Sequence, residues 1–218
     1  MSMCSNFEAI KRDRAFLLNL PEPTQLEFPD EIFPTYNSPL VFSNKGTIEW
    51  RSAKFGMIPK WAKELKYGRH TYNARTEIVA EKPSFKNAWH RNQFALVPVE
   101  TIYEPKYIDG KSYWYGIARE DGMPFTIAAI YEIAMIDGEQ IRSMSMLTIN
   151  ADKHPFMKQF HAPQDEKRSI IVIPEEYRED WLNTNFEEVH EFFFEMPNEF
   201  VTFPKNRLSE TKPQRDLF

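Results

Sequence analysis

Between residues 93 and 150, apolar side chains run or alternate in four stretches of strand length. These are "QFALVPVETIYEP" (93–105), "KSYWYGIA" (111–118), "PFTIAAIYEIA" (124–134) and "QIRSMSMLTIN" (140–150). Asp109-Gly110, Asp121-Gly122 and Asp137-Gly138 separate them. Asp-Gly between apolar runs is a strong hairpin signal, because both residues tolerate positive φ. Three such turns in succession predict an antiparallel meander. Upstream, "LVFSN" and "GTIEWRSAKFGMI" flank Asn44-Lys45-Gly46 and predict strand–turn–strand. "SIIVIP" (169–174) predicts a short buried strand.

Helical patterns are fewer and lie outside this β-rich middle. "PKWAKELK" (59–66) starts at a proline, as helices often do. "KPSFKNAWHRN" (82–92) offers Ser84 as a cap. "ADKHPFMKQF" (151–160) reads as helical, interrupted by Pro155. "PEEYREDWLN" (174–183) and "NFEEVHEFFF" (185–194) read as helices, the second with acids in its first turn where the macrodipole favours them. Residues 19–39 carry five prolines and predict an extended excursion over the surface, or a mobile loop. The expected fold class is α+β: a single compact domain, residues 1–218, around a largely antiparallel, barrel-like β-sheet with peripheral helices.

Composition narrows the function. In 218 residues there are 7 Gly, 16 Pro and 18 Phe, which favours stiff segments and aromatic packing over glycine-rich phosphate loops. The lone cysteine, Cys4, excludes an internal disulfide and a cysteine-rich zinc site. The histidines show no metal-ligand spacing, so neither metal nor cofactor is expected. No leader and no apolar run of membrane-spanning length is seen, and a cytoplasmic protein is the expectation. The net charge of −5 argues against indiscriminate binding to nucleic acid. Its distribution changes that picture, because residues 51–92 hold ten Lys/Arg, Lys60 and Arg75 among them, against three acids. Such a segment is either a solvated surface or a polyanion-binding face on an acidic body.

Four residue types invite a chemical reading. Cys4 is either an incidental thiol or a nucleophile, and a thiol needs neighbours to react at neutral pH. In "YNARTE", Asn73, Arg75 and Glu77 alternate and would share a face in extended chain. Glu104 follows a strongly apolar run, as an exposed strand end or as a partly buried acid with a raised pKa suited to proton transfer. His161 lies in a polar stretch before "SIIVIP", as a surface residue or as a catalytic loop residue.

The order of these pieces resembles the SOS-response-associated peptidase (SRAP) family, whose members sense abasic sites in DNA. "MCSNF" is similar to that family's opening Met-Cys-Gly-Arg-Phe/Tyr, and "AKFGMIPKW" to its Trp-Gly-Leu-Ile-Pro-x-Trp. "NARTEIVAEKPSFKNAWHRNQFALVPVETIYEP" resembles its longest signature, from Asn-Ala-Arg-x-Glu to Phe-Tyr-Glu-Trp. "MLTINA" matches its Leu-Thr-x-x-Ala strand, and "FHAPQDEKRSIIVIP" resembles its Ile-His-x-Arg-Met-Pro-Val-Ile-Leu with residues inserted before Arg168. Here Ser5-Asn6 replaces the Gly-Arg, Pro105 replaces the Trp after the glutamate, and Phe55 replaces a Trp.

The resemblance implies a compact α+β fold with a barrel-like core and no cofactor. It implies that Cys4 reacts through its α-amine and thiol to capture abasic sites in single-stranded DNA as a thiazolidine. Residues 1–3 must leave first, by autoproteolysis or by a start at Met3. Asn73 would hold the cysteine amine or the opened sugar, Glu104 would move protons, and His161 would help open the deoxyribose. Arg75 and Arg168, with Thr148, Asn6 and Lys60, would contact DNA. The implied protein is a cytoplasmic monomer that joins the nucleoid on damaged DNA. Two other readings stand beside it: a thiol hydrolase using Cys4, His161 and Asn73, and a non-catalytic single-strand-binding module.

Overall fold

The computed structural model describes residues 5–23 and 26–205. Cys4 therefore lies outside the described residues. In chain order the strands are β1 (Asn6–Ala9), β2 (Glu31–Ile32), β3 (Asn37–Asn44), β4 (Thr47–Phe55) and β5 (Asn73–Arg75). Helix α1 (Lys86–His90) precedes β6 (Phe94–Ile108), β7 (Lys111–Arg119), β8 (Phe125–Ile136) and β9 (Glu139–Asn150). The chain ends with β10 (Arg168–Ile170), β11 (Val172–Ile173), α2 (Arg178–Asn183) and β12 (Phe200–Pro204).

Five of these strands close a barrel in the order β6-β8-β9-β4-β3, with β3 returning to β6. All barrel pairings are antiparallel except β4 with β9. The turns Lys45-Gly46, Asp109-Gly110 and Asp137-Gly138 each carry positive φ at both residues, the backbone that matches strand twist. A Cβ at Gly138 would meet no atom within 4 Å, so its cost is conformational. Gly138→Ala is expected to lower stability by about 1 kcal/mol in chemical denaturation, with no change in the folded spectrum.

The apolar runs are continuous because both sheet faces are covered. Ala95, Val97, Val99, Ile127, Ala129, Met144 and Met146 point into the barrel. Phe94, Leu96, Ala128, Ile130 and Leu147 point outward, beneath Trp89 of α1 and Trp181 of α2. Trp181 is fully buried, and its indole N–H donates to the Ala95 carbonyl at 2.9 Å.

Several elements differ from the sequence expectation. β7 and β8 do not pair with each other across Asp121-Gly122; both pair with β6, along different halves of that strand. Within 59–66 there is a turn over 59–62, Ala62 N–H to Pro59 C=O, and a 3-10 segment, Leu65–His70, begins after it. The cause is close packing: a Cβ on Gly56 would sit 2.0 Å from the Gly68 carbonyl oxygen, so the two backbones touch. Ser84 caps nothing; α1 starts after Phe85, and the Ser84 hydroxyl meets Tyr67 at 3.1 Å. Within 151–160 only Met157–Gln159 is helical, as a 3-10 turn. Residues 185–194 hold only a 3-10 turn, Val189–Phe192, because three consecutive phenylalanines all pack into aromatic contacts. Phe192 meets Trp181, Phe193 meets Trp89, and Phe194 meets Tyr177.

Within the proline-rich run, Trp50 donates its indole N–H to the Pro21 carbonyl, and Glu31–Ile32 pairs with β1. Both contacts hold the run against the barrel.

Candidate active site

Glu104 lies within β6, not at its end, and is fully buried. Its orientation depends on an irregularity. β1 pairs Ala9 with Val99 but Glu8 with Thr101, so Glu100 is an extra residue on β6. Such a bulge shifts the side-chain alternation by one. Ala95, Val97 and Val99 face the interior; after the bulge Ile102 does so, with Phe7 opposite it. Glu104 continues the Ile102 face. Strict alternation from Val99 would have turned it outward. The Glu100 carboxylate anchors the bulge, accepting from Arg14 Nε at 3.0 Å and Lys11 N–H at 3.2 Å.

His161 is brought to Glu104 by the chain after Met157–Gln159. Its Nε2 is 2.9 Å from Glu104 Oε2, and it is 7% exposed. Its φ of 62° is left-handed, which costs a residue with a Cβ about 1–2 kcal/mol. Three contacts hold that geometry. His161 N–H donates to the Pro105 carbonyl at 2.7 Å, and Lys167 Nζ reaches the His161 and Ala162 carbonyls at 3.3 and 2.6 Å. His161 Nδ1 is buried and has no hydrogen-bond partner among the described residues. With Nε2 committed to the carboxylate, Nδ1 is the ring atom left for a ligand.

Asn6 opens β1 opposite Tyr103, the residue before Glu104. It is buried, and its Nδ2 donates to Glu31 Oε1 at 2.5 Å. Lys205 also pairs with Glu31 and sits 3.9 Å from the Tyr103 ring centroid. The Tyr103 hydroxyl donates to Glu8 at 2.5 Å. Burial, then the Glu8 and Glu31 carboxylates, push that phenol far above its ordinary range, so it stays a neutral donor. Asn73 opens β5 and pairs with Met146 of β9. A chain of ring contacts, Phe7 to Phe55 at 5.2 Å and Phe55 to Tyr72 at 5.5 Å, links β1 to the residue before Asn73.

The arginines form a separate network. Arg168 is 4% exposed and grips Glu77 with both terminal nitrogens at 2.8 Å. It also reaches Glu166 at 2.9 Å, the Thr148 carbonyl at 2.6 Å and the Thr148 hydroxyl at 3.1 Å. Arg75 is exposed and pairs with Glu166 at 2.7 Å. β5 ends at Arg75 and the chain turns, so Glu77 leaves the strand on which Asn73 and Arg75 alternate. Lys60 is exposed on the turn beside Trp61. Sequence reasoning left Glu166, Lys167, Tyr103, Lys205 and Glu31 out of the site. Only Glu166 and Lys167 carried a signal, since they sit in the insertion before Arg168.

Burial works against ionisation of Glu77, but the hydrogen bonds and charge of Arg168 hold its carboxyl below the ordinary 4.5. Burial opposes Glu166 too, while Asn150, Arg168 and Arg75 hold it low. A lowered carboxylate lends stability that is fully present above about pH 4.5 and is lost as pH falls through its folded value. Glu77→Gln is therefore expected to lower the unfolding midpoint at pH 7. Its difference from the parent should shrink in thermal melts carried into strong acid. Among the described residues no group of three or more His, Cys, Asp or Glu is arranged to hold a metal ion, and no helix is long and apolar enough to cross a membrane.

Known proteins share this arrangement of strands. A solved structure of a protein from Bordetella bronchiseptica superposes with a TM-score of 0.86 at 29% identity, covering 93% of this chain and all of that one. One from Bacteroides thetaiotaomicron gives 0.75 at 18% identity, covering 94% and 93%, which speaks to the fold alone. Two Bacillus subtilis proteins named abasic site processing protein, YoaM and YobE, are 25% and 26% identical over 154 residues. The match covers 70% of this chain in both cases, and 64% of YoaM and 67% of YobE. The family model for SOS response associated peptidase (SRAP) matches residues 3–206, nearly the whole chain, and the protein belongs to that family.

Proposed function

We propose that this protein answers DNA damage by capturing abasic sites in single-stranded DNA as a covalent adduct on Cys4. The observation that carries the reading is the buried Glu104–His161 pair beside the start of β1. Two peptide units join Asn6 to Cys4, a reach of about 7 Å. A carboxylate and an imidazole within contact, one ring nitrogen open, form a proton-transfer pair rather than a surface ion pair.

An abasic site exchanges between a closed sugar and an open aldehyde. The free α-amine of Cys4 adds to the aldehyde carbon, and loss of one water leaves an imine. The thiol then adds to the same carbon, its proton passing to the nitrogen, and a five-membered thiazolidine closes. Holding amine and thiol on one residue makes the second step intramolecular. Glu104 and His161 would deliver and remove the protons of sugar opening and water loss. The same groups could cut the Met3–Cys4 bond and expose the amine; a start at Met3 followed by methionine removal would serve equally.

The basic segment suits the DNA strand. Trp61 is 51% exposed and stands edge-on to Tyr67 with centroids 4.8 Å apart. They line a groove of about 430 Å³ with Lys63, Lys66, Arg69 and His70. Stacking of a base on an aromatic, with phosphates held by lysine and arginine, is how single strands are gripped without sequence preference. The test is a denaturing gel of protein bearing a proven Cys4 terminus, incubated with a single strand that carries one abasic site. A band surviving denaturation, and missing for Cys4→Ala, is expected. Salt-sensitive binding with no such band would leave a binding module, and hydrolysis of peptide esters by protein retaining Met1 would favour a thiol hydrolase.

A further inference from the structure

We propose that Glu166 is a built-in competitor for DNA phosphate, held over Arg75 by the insertion that precedes Arg168. The proposal rests on the single-strand binding proposed above. Each oxygen of Glu166 has its own role. Oε1 faces the buried side, 2.9 Å from Arg168 Nη1 and 3.1 Å from Asn150 Nδ2. Oε2 faces outward, 2.7 Å from Arg75 Nη1. The carboxylate thus presents to Arg75 one anionic oxygen, as a phosphodiester would.

The loop carrying Glu166 is fixed at its C-terminal end. Lys167 N–H donates to Asp152 at 2.8 Å, its carbonyl accepts from Ala151 at 2.8 Å, and its ammonium holds the carbonyls of His161 and Ala162. One short segment therefore positions both the His161 backbone and the acid that occupies Arg75.

The two arginines differ in what can displace their partners. Arg168 is buried, with Glu77 on both terminal nitrogens, so removing its partners would strand a charge in the protein. Arg75 and Glu166 have side chains 45% and 36% exposed, and an exposed pair is weak and screened by salt. Phosphate can displace Glu166 from Arg75 far more cheaply than it can reach Arg168. Arg168 then acts as the anchor that keeps Glu166 in place, and Arg75 as the phosphate contact.

The test uses full-length protein and a fluorescent single strand carrying a tetrahydrofuran abasic analogue. That analogue has no aldehyde, so anisotropy reads binding without crosslinking. Glu166→Gln is expected to bind about threefold more tightly at low salt, the scale of one exposed ion pair. Its plot of log affinity against log salt should steepen by about 0.7, one added phosphate contact on a single strand. In an Arg75→Gln background the same substitution should give no gain. A gain matched by Glu139→Gln, an exposed acid at the start of β9, would reduce the effect to net charge and overturn the proposal. So would a gain that persists without Arg75, or no gain at all. Parent protein that binds the strand with no salt dependence would instead sink the DNA-binding reading, and this inference with it.

Discussion

Glu104→Gln is expected to slow covalent capture of an abasic strand by at least about a hundredfold, while changing strand affinity by less than about twofold. Gln matches Glu in size and fills the same buried site, where its amide can still hydrogen-bond His161 Nε2. What it cannot do is gain and lose a proton. General acid–base groups contribute about 10²–10⁴-fold to such steps. The basic segment of residues 51–92 is untouched by the change, so binding should survive. Single-turnover gel kinetics and anisotropy on the tetrahydrofuran strand separate the two effects. Equal losses in both would make Glu104 a structural residue.

Deleting Glu100 and Thr101 together is expected to abolish capture and to lower stability by about 2–5 kcal/mol. The bulge makes Val99 and Ile102 interior neighbours. Removing both residues puts Ile102 directly after Val99, so strict alternation turns over every later side chain of β6, whereas removing Glu100 alone would leave those faces as they are. Ile102 and Glu104 would leave the interior, and Tyr103 would enter it carrying a hydroxyl that now bonds Glu8. Glu100→Ala separates register from side chain. It keeps the residue count and loses only the contacts with Arg14 and Lys11, so about 1 kcal/mol of stability and little activity should be lost. If the two-residue deletion and the alanine variant behaved alike in denaturation and capture, the side-chain alternation of β6 after Val99 would not be what aims Glu104.

Local patterns foretold much of the barrel. Lys45-Gly46, Asp109-Gly110 and Asp137-Gly138 form turns because two adjacent residues must take positive φ, and few pairs do so easily. The runs "FALV" and "TIAAI" were visible as strands, and the fold shows them covered on both faces. Which strand pairs with which was not, since β4 meets β9 across some ninety residues and no local signal encodes that contact. Helix expectations failed where aromatic packing outweighed propensity, as at Phe192, Phe193 and Phe194.

The site divides the same way. Composition left Glu104 undecided between an exposed end and a buried acid, because β6 continues past it to Ile108 through residues of mixed polarity. The missing alternation between Val99 and Ile102 is the sequence trace of the bulge. His161 looked like an ordinary loop residue; its burial comes from Pro105 and Lys167, contacts that only the fold creates. Arg168 and Glu77 lie 91 residues apart, so their pairing could not be read from a single chain. The resemblance supplied the roles, and the fold then placed Glu104 against His161 and enclosed Arg168 in carboxylates.

The central claim is attachment through the α-amine and thiol of Cys4, and its most direct test is mass spectrometry of the adduct. Protein with a free Cys4 terminus is reacted with an abasic single strand, and nuclease and protease digestion then leave the crosslinked peptide. One modified peptide beginning at Cys4 is expected, heavier by the sugar remnant less one water and resistant to borohydride, with no adduct on protein that retains Met1. A modification on a lysine, or an equal yield from protein whose Cys4 nitrogen is still in a peptide bond, would contradict it.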